Sequence, residues 1–501
     1  MDSKTQREIL HQWLLAGGCF ALLVFFFSPP FGAYRIWSRV PEMQGMLEVR
    51  RGASVLLQAE HPGIAIADPL HAAIRWRLFF PAIGHLLQLP PPALFALAPL
   101  GALMALAFIV AVLRRRGLGF PETGLAVLVL GATSWFFTSV SWLGYFDSWL
   151  VLALLFVAFA RASWPVWLAC VWAPWVDERF VLAAPLALLC RHMAVANAAA
   201  AAGPAPLRRR DLAVVAALLG AFVVVRLGLL SGPAGSTTTI KGYFASFAAA
   251  NIPWSRIAFG AWAGLRAAWF FVAAAVWLCW KRRKGGIWMA AGVLAVLAAG
   301  LGTAQDLSRS MMLEMPAALL GVLLATTAAT RWLPWALRIG AATALLLPAH
   351  HVMSDRVNPI YYLYHELAAL ENPPAVAMPE LRVLRGLLEE LDGNAGGAEA
   401  DFTLAIKLGG HTSVALKQRG LLYATQRRWQ EARRDFSAMV EEQPGEPDGW
   451  FLRSRVNLAL GDMAGARADL QQAMDVGSSE WTQRPDVARY VELMRKQAGH
   501  P

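Results

Sequence analysis

Residues 93–116 read ALFALAPLGALMALAFIVAVLRRR. The first 21 of these residues carry no charged side chain, and about 20 apolar residues are enough for a helix to cross the ~30 Å hydrocarbon layer of a bilayer. The three arginines that follow, Arg114 to Arg116, are typical of the cytoplasmic end of such a helix. The stretch therefore predicts one membrane-spanning helix whose C-terminal end faces the cytoplasm.

Similar apolar runs recur along the first 350 residues of the chain. The whole sequence is 57% hydrophobic and only 16% charged, with a mean hydropathy of +0.44, so a bilayer is the expected solvent. A helical hairpin is predicted over residues 163–191, with Asp177, Glu178 and Arg179 at its tip, because these charges are costly at the bilayer centre. The other runs lie near residues 12–31, 122–143, 148–161, 211–230, 261–280, 286–303, 311–330 and 332–350. Together they predict an all-α polytopic domain of about eleven spans.

The basic residues set the orientation of these spans. The net charge is +11, but the arginines and lysines sit in tight clusters between apolar runs, for example at residues 114–116, 208–210 and 281–284. If the N-terminus is cytoplasmic, every basic cluster falls inside and most acidic residues fall outside. Interaction with membrane lipid is therefore predicted, and no nucleic-acid partner. The C-terminal region is predicted to be extracytoplasmic, on the periplasmic side of a bacterial inner membrane.

A 34-residue repeat distinguishes the C-terminal region. Phe402, Phe436 and Leu470 recur at this interval, as do the triplets Ala398, Ala432, Ala466 and Arg385, Arg419, Arg453. This period is that of the tetratricopeptide repeat, an antiparallel pair of helices that stacks into an α-solenoid. We expect a membrane domain over residues 1–351 with a long first loop at 31–92, a linker at 352–378, and a repeat domain at 379–501. The repeat domain has about three repeats and a capping helix.

Three short sequences combine acidic and basic residues on the predicted outer face. They are Asp68-Pro69-Leu70-His71 with Arg75-Trp76-Arg77, Trp175-Val176-Asp177-Glu178-Arg179, and Gln305-Asp306-Leu307-Ser308-Arg309. With the many spans and the long acidic first loop, residues 1 to about 350 resemble the integral-membrane C-type (GT-C) glycosyltransferases. The added repeats make the architecture similar to the transmembrane-and-tetratricopeptide-repeat O-mannosyltransferases. In those enzymes the repeats are thought to face the acceptor protein.

The resemblance implies a reaction and a set of residues for it. Members of the superfamily take a sugar from a polyprenyl-phosphate carrier and use an acidic residue of the first loop as the base. The chain departs from that pattern because no adjacent Asp-Glu pair follows the first span. The candidate bases are Glu42, Glu48 and Asp68, since the acceptor must lose a proton. The candidate phosphate-binding residues are Arg75, Arg77, Arg179 and Arg309, because guanidinium groups suit phosphate oxygens. The supporting acidic residues are Asp177, Glu178 and Asp306.

The expected function is therefore transfer of a sugar from a polyprenyl-phosphate donor to a protein, glycan or lipid acceptor outside the cytoplasm. A divalent cation held by Asp177 and Glu178 is a further expectation. Two alternatives stay open. One is an O-antigen-ligase-like or oligosaccharyl-transferring enzyme, and the other is a membrane scaffold whose repeats recruit an envelope partner. Soluble hydrolase, kinase and metalloprotease functions lose their support, because the sequence has no GxSxG, GxxxxGK[ST] or HExxH motif.

Overall fold

The chain folds into two compact units, Met1–Leu367 and Ala368–Pro501. The computed structural model describes residues 3–27, 47–62, 76–196, 203–226, 252–282, 285–303, 306–353, 357–360, 379–409 and 412–498. Nearly all of these residues are helical, which confirms the all-α prediction for this part of the chain.

The first unit is built from helices that pack around one large apolar core, with one short β-hairpin near its end. In chain order its elements are α1 (Ser3–Phe26), α2 (Leu47–Glu60), α3 (Phe79–Leu86), α4 (Pro91–Arg115), α5 (Phe120–Gly131), α6 (Ser134–Ser141), α7 (Asp147–Phe159), α8 (Trp164–Trp172), α9 (Arg179–Ala196), α10 (Arg209–Val224), α11 (Trp254–Leu265), α12 (Trp269–Lys281), α13 (Gly286–Thr303), α14 (Leu307–Ser310), α15 (Met315–Thr327), α16 (Leu333–Leu346), β1 (Ala349–Val352) and β2 (Val357–Ile360).

Five helical stretches in the described part of the chain are long and apolar enough to cross a membrane. They are Thr5–Phe26, Pro91–Arg115, Arg179–Ala196, Trp254–Lys281 and Leu307–Thr327. Helices α5 and α6 qualify together but are bent by 72° at their junction, where the sequence predicts one span over residues 122–143. The apolar helices Asp147–Phe159, Gly286–Gly302 and Leu333–Leu346 are shorter. Several helices are thus suited to a bilayer, whereas the count of eleven spans stays a prediction.

A buried arginine donates hydrogen bonds to the backbone at two breaks in these helices. Arg266 begins the 3₁₀ turn Arg266–Ala268 between α11 and α12, and its side chain is 4% exposed. It donates one hydrogen bond to the carbonyl oxygen of Ala132, at the α5–α6 bend, over 3.4 Å, and another to that of Leu347, which follows α16. Inside a bilayer, carbonyl groups freed at helix ends must find such donors within the protein. The guanidinium group therefore supports two interruptions of the helical framework.

The β-hairpin lies where the sequence predicts the start of a linker. Strands β1 and β2 pair antiparallel, and Ile360 is buried against the core of the first unit. The first unit accordingly extends beyond residue 351, because Ile360 of the hairpin packs into its core. Residues 361–378, the remainder of the predicted linker, lie outside the described residues.

The second unit consists of successive helix pairs with their own apolar core. Its helices are α17 (Pro379–Leu391), α18 (Ala395–Leu408), α19 (Thr412–Thr425), α20 (Trp429–Glu442), α21 (Pro447–Ala459), α22 (Met463–Val476), α23 (Ser479–Thr482) and α24 (Pro485–Ala498). The pairs α17–α18, α19–α20 and α21–α22 repeat every 34 residues or close to it. In the last pair, Phe451 packs edge-to-face against Tyr490 of α24, at a centroid distance of 5.5 Å.

Each pair is held by an ion pair that recurs with the same period. Arg419 of α19 donates two hydrogen bonds, of 2.7 and 2.8 Å, to Asp435 of α20. Arg453 of α21 donates two, of 2.6 and 2.8 Å, to Asp469 of α22. In the first pair, Arg385 lies 3.0 Å from Asp401. The remaining guanidinium nitrogen of Arg419 and of Arg453 donates to a hydroxyl of the preceding pair, Thr403 or Ser437. One arginine thus joins the two helices of a pair and also links neighbouring pairs.

Candidate functional site: a buried cluster of arginines and carboxylates

Seven charged side chains from distant parts of the first unit meet in one cluster, which we call the ionic cluster. They come from the start of α7, from the segments before α3 and α9, from the first residue of α9, and from α14 with the residue before it. Its members are Arg77, Asp147, Asp177, Glu178, Arg179, Asp306 and Arg309. The helix ends in the cluster are N-terminal ends, whose partial positive charge favours carboxylates.

The most enclosed contact joins Arg309 to Asp147. Arg309 donates from Nε and Nη2 to the two carboxylate oxygens of Asp147, at 2.5 and 2.7 Å, although the residues are 162 positions apart. Thr138 of α6 donates a further hydrogen bond of 2.7 Å to Oδ2 of Asp147. Both charged side chains are less than 5% exposed. The two-point geometry makes this pair a rigid connection between α7 and α14.

Asp177 is the centre of the cluster, because three guanidinium groups surround its carboxylate. Arg179 donates to both oxygens at 2.7 and 2.9 Å, Arg77 lies at 3.0 Å, and Arg309 at 3.4 Å. Burial alone would raise the pKa of Asp177, but Arg179, Arg77 and Arg309 hold it well below its usual range. Arg179 is completed by a hydrogen bond of 3.0 Å from Nη1 to the Ser310 hydroxyl. Arg179 is therefore engaged through Nε and both terminal nitrogens.

The side of the cluster nearest to solvent is formed by Arg77 and Glu178. Arg77 donates to the two oxygens of Glu178 at 3.2 and 3.3 Å, and the Glu178 side chain is 38% exposed. A partly exposed pair is weak compared with a buried one, since water competes for both groups. A charged ligand that enters from solvent would displace Glu178 from Arg77 more readily than it would displace Asp147 from Arg309.

The opposite flank of the cluster contains a histidine. Nε2 of His351, on β1, lies 3.2 Å from Oδ1 of Asp306, whose other oxygen accepts from Arg309 at 3.1 Å. Burial alone would raise the pKa of Asp306, but the hydrogen bond with His351 and the nearby guanidinium groups hold it well below its usual range. The His351 ring packs against Trp142 with centroids 4.3 Å apart. Asp306 and His351 therefore join the β-hairpin to the cluster.

Arg51 of α2 adds a positive charge that has no carboxylate partner among the described residues. Its side chain is 4% exposed, its Nε is buried without a hydrogen-bond partner, and its guanidinium lies 4.4 Å from the centre of the Tyr145 ring. Burial lowers the pKa of Arg51 to about 10, and the charges of Arg309 and Arg77 act in the same direction. An anion beside Arg51 would supply the hydrogen-bond acceptor that a buried guanidinium group requires.

The structure brings together six of the ten residues that the sequence predicts for a site. Arg77, Arg179 and Arg309 meet Asp177, Glu178 and Asp306, although the three segments are separated by about 100 residues or more. Glu42, Asp68 and Arg75 lie outside the described residues, and so do His71 and the side chain of Glu48, which belongs to α2. The candidate bases of the first loop therefore stay predictions.

Four residues of this region were not predicted to belong to it. Asp147 is the first residue of α7, and it is also the main partner of Arg309. His351, Arg51 and Tyr145 carry no local sequence signal, because their neighbours are supplied by other helices. Asp147 alone had a detectable signal, since an aspartate that precedes an unbroken apolar run needs a charged partner if it is buried.

The residues at the predicted cation site do not fit a metal ion. Asp177 faces three guanidinium groups, and Glu178 is occupied by Arg77. Within the described ranges, no three His, Cys, Asp or Glu side chains are grouped so that they could hold a metal ion. A divalent cation would meet strong repulsion from the arginines, so no step below depends on one.

Comparisons with models of protein families, with curated proteins and with solved structures gave no match to this chain. The geometry of the ionic cluster and the sequence pattern are therefore the basis for a functional hypothesis.

Proposed function

We propose that the chain is a membrane glycosyltransferase of the GT-C type that moves a sugar from a polyprenyl-phosphate donor to an extracytoplasmic acceptor. In this proposal the first unit is a polytopic domain of about eleven spans in the inner membrane. The second unit is a tetratricopeptide-repeat solenoid in the periplasm that holds the acceptor protein or glycan. The observation that carries the proposal is the convergence of Arg77, Arg179 and Arg309 with Asp177, Glu178 and Asp306 at the N-terminal ends of membrane helices.

The pairing within the cluster assigns different tasks to its arginines. Arg179 donates hydrogen bonds to Asp177 and Ser310, and Arg309 donates to Asp147. These two arginines therefore position the helix ends and have few N–H groups left to bind a ligand. Arg77 is bound both to the buried Asp177 and to the partly exposed Glu178, and Arg51 lacks an anionic partner among the described residues. We therefore assign the donor phosphate to Arg77 and Arg51. A guanidinium group there stabilises the negative charge that develops on the leaving phosphate.

The proton of the acceptor goes to a carboxylate of the first loop in this proposal. Within the ionic cluster, Asp147 and Asp177 are bound by arginines on both oxygens, which makes each a poor proton acceptor. Glu42, Glu48 and Asp68 remain the candidates, and α2, which contains Glu48, also carries Arg51. If Glu48 is the base, the base and one proposed phosphate ligand belong to the same helix.

The second unit supports a role in acceptor binding. The ion pair between Arg419 and Asp435 recurs between Arg453 and Asp469, and this recurrence supports the stacking of similar helix pairs. Such stacks present a continuous surface made from successive helices, and they commonly bind peptides or proteins on it. A repeat domain on the acceptor side would raise the local concentration of substrate at the membrane.

The test is the glycan and glycoprotein profile, by mass spectrometry, of cells that lack the gene and carry wild type or single variants. We expect wild type and the control Glu60→Gln, which changes an exposed carboxylate of the same α2, to restore one sugar. Arg77→Gln, Arg51→Gln and one of Glu42→Gln, Glu48→Gln and Asp68→Asn should fail to restore it although they insert at wild-type levels. Restoration by all of these variants would overturn the transferase proposal.

A membrane scaffold is the second candidate, and the internal pairing of the cluster favours it. Asp147, Asp177, Arg179 and Arg309 neutralise one another, as expected for a purely structural connection between helices. In that case the loop carboxylates would be dispensable, while deletion of residues 379–501 would abolish the phenotype. Such a pattern in the same complementation experiment would establish the scaffold instead.

A further inference from the structure

A glutamate without a partner lies inside one of the apolar stretches of the first unit. Glu314 is the last residue of the 3₁₀ turn Met311–Glu314, which joins α14 to α15 within the stretch Leu307–Thr327. Its side chain is fully buried, and neither carboxyl oxygen has a hydrogen-bond partner among the described residues. The ionic cluster does not include it, and the proposed sugar transfer gives it no role. An ionisable residue inside a membrane domain is rare and commonly functional.

Capping of the next helix does not account for this glutamate. Glu314 is the N-cap residue of α15, yet its side chain accepts no hydrogen bond from the first turn of that helix. Pro316, near the start of α15, also removes one of the N–H groups that a cap could bind. The carboxyl group is therefore not held by the helix that it precedes.

The surroundings of Glu314 supply no charge that would stabilise a carboxylate. The turn Met311–Glu314 packs against α6, α7, α9, α11, α13, α14 and α15, and of these α6, α13 and α15 have no titratable side chain. Cys190 of α9 lies within the electrostatic influence of Glu314 and of Cys279 on α12. The other titratable residues of the packed helices are Asp147, Arg179, Arg191, His192, Arg256 and Arg309. None of these described residues forms a hydrogen bond or an ion pair with Glu314.

These surroundings require the neutral form of the carboxyl group. An ionised carboxylate without a partner is very unfavourable in an apolar interior, and the group takes up a proton instead. A metal ion does not fit, since Glu314, Cys190 and Cys279 are not grouped so that these described side chains could hold one. In the packing that the structure shows, Glu314 is therefore a carboxylic acid.

Two neighbouring helical stretches are interrupted next to Glu314. α11 and α12 are separated by the 3₁₀ turn Arg266–Ala268, just as α14 and α15 are separated by the turn Met311–Glu314. Arg266 has a positive φ of 50°, which is uncommon for a residue other than glycine. α11 packs against the turn Met311–Glu314, and α12 packs against α15. Short 3₁₀ segments within longer helices often mark hinges, and here two of them lie in adjacent stretches.

Close helix contacts on both sides of Glu314 separate it from solvent. On one side, a Cβ atom built on Gly264 of α11 would lie 2.5 Å from Cβ of Met311. On the other side, a Cβ atom built on Gly321 of α15 would overlap the carbonyl oxygen of Phe271 on α12. The carboxyl group reaches water only if α11 and α12 move away from the turn and from α15.

We propose that Glu314 is a proton-binding site that controls a hinge at the turns Arg266–Ala268 and Met311–Glu314. With the proton bound, the two stretches keep the packing that the structure shows. When the proton passes to water, the carboxylate requires hydration and the stretches separate at their turns. The closed packing is therefore fully stable at low pH and weakens as the pH rises. This inference rests on insertion of the first unit in a membrane and not on sugar transfer, so a scaffold can contain the same site.

The four cysteines of the chain provide the measurement, because all of them are buried and free. Cys190 lies near Glu314 and Cys279 belongs to α12, whereas Cys19 of α1 and Cys170 of α8 lie on helices outside the hinge. The experiment measures the rate at which N-ethylmaleimide alkylates each cysteine of the full chain in detergent, by peptide mass spectrometry, at pH 6 and pH 8. Rates are compared between wild type and Glu314→Gln at the same pH, which removes the pH dependence of the thiols themselves.

We expect wild type and Glu314→Gln to react equally at pH 6, because the amide imitates the protonated acid. At pH 8, Cys190 and Cys279 of wild type should react about tenfold faster or more, since one proton can change the ratio of open to closed forms by up to about tenfold per pH unit. Cys19 and Cys170 should show no difference between the two proteins. The control Glu60→Gln, which changes an exposed carboxylate of α2, should behave as wild type.

A second variant and a second measurement keep the test decisive if Glu314→Gln fails to fold. Glu314→Asp retains a titratable group and should retain the pH dependence. Infrared spectra at pH 6 should contain the high-frequency C=O stretch of a carboxylic acid without a hydrogen bond, and this band should shift in Glu314→Asp. Absence of the band, or the same ratio of alkylation rates at both pH values, overturns the proposal. An equal rise at Cys19 and Cys170 indicates general unfolding and overturns the hinge as well.

Discussion

The contact between Gly420 and Phe436 offers a sharp test of how the helix pairs of the second unit pack. A Cβ atom built on Gly420 would lie 2.5 Å from Cε1 of Phe436 and within 3.0 Å of two further ring atoms. The first pair has the same arrangement, with Gly386 against Phe402 at 2.6 Å. In the third pair, Ser454 occupies the glycine position and Leu470 the phenylalanine position. Where serine replaces the smaller glycine, leucine replaces the larger phenylalanine.

Two opposing terms set the magnitude for Gly420→Ala. Alanine is favoured over glycine within a helix by about 1 kcal/mol. Forcing an atom into a packed core costs about 1–3 kcal/mol, and Phe436 is only 1% exposed, so its ring has little room to move. We expect a net destabilisation of about 1 kcal/mol. The matched control is Gly396→Ala on α18, where the nearest atom to the new Cβ is 4.0 Å away, and this change should stabilise or be neutral.

The rescue variant is Gly420→Ser/Phe436→Leu, which reproduces the third pair. There the Ser454 hydroxyl donates to the carbonyl oxygen of Ala466 at 2.6 Å, and Ala432 occupies the corresponding place in the second pair. We expect the loss of unfolding free energy in the double variant to be smaller than the sum of the losses in its two single variants, by about 1 kcal/mol or more.

The assay is hydrogen exchange, followed by mass spectrometry, on the full chain in detergent, read over α19 and α20. A destabilisation of 1.4 kcal/mol corresponds to a tenfold faster exchange of the protected amides. Equal behaviour of Gly420→Ala and Gly396→Ala would refute the packing argument. Simple additivity in the double variant would refute the coupling between the two positions.

Three other changes test the charged contacts. Asp147→Asn should lower the stability of the first unit by about 3–5 kcal/mol, because Arg309 is left buried without its main partner, whereas Asp147→Asn/Arg309→Gln should lose less than the two single variants combined, as measured by thermal unfolding in detergent. Asp448 is held at a pKa of about 2: burial would raise it, but Lys417, Trp481 and Arg484 lower it from the usual 3.8. The lowered pKa contributes about 2 kcal/mol to the stability of the second unit, which is fully present above pH 4 and lost as the pH falls through 2. At pH 4, pepsin should therefore cleave α21 of Asp448→Asn faster than that of wild type, and the two should approach each other at pH 2. For Arg419→Gln and Asp435→Asn, hydrogen exchange should reveal a coupling energy of about 1–2 kcal/mol; a value near zero would show that the repeated clamp adds no stability.

Much of the fold was predictable because its signals are local. An apolar run of about 20 residues predicts a helix suited to a bilayer, since the backbone must satisfy its own hydrogen bonds there. The run at Pro91–Arg115 is such a helix. The 34-residue interval likewise predicts equal helix pairs, because each repeat places the same residues on the same faces. The matching recurrence of Asp401, Asp435 and Asp469 is visible at the same interval of the sequence.

The helix breaks were less predictable because they depend on contacts with other parts of the chain. Residues 122–143 form an apolar stretch long enough for one span, yet the structure bends it by 72° between α5 and α6. Arg266, more than 130 residues away, donates to the carbonyl oxygen of Ala132 at that bend. The sequence near residue 132 does not predict a hydrogen-bond donor that comes from such a distant part of the chain.

The sequence by itself determined that apolar helices precede a domain of repeated helix pairs, and it indicated that Arg77, Arg179 and Arg309 belong with acidic residues. Only the tertiary structure decided which charges pair. Asp147 meets Arg309 across 162 residues, and His351 reaches Asp306 through the β-hairpin. The physical reason is that a buried charge is stabilised only by the groups that surround it, and in this chain those groups come from helices whose proximity is set by packing.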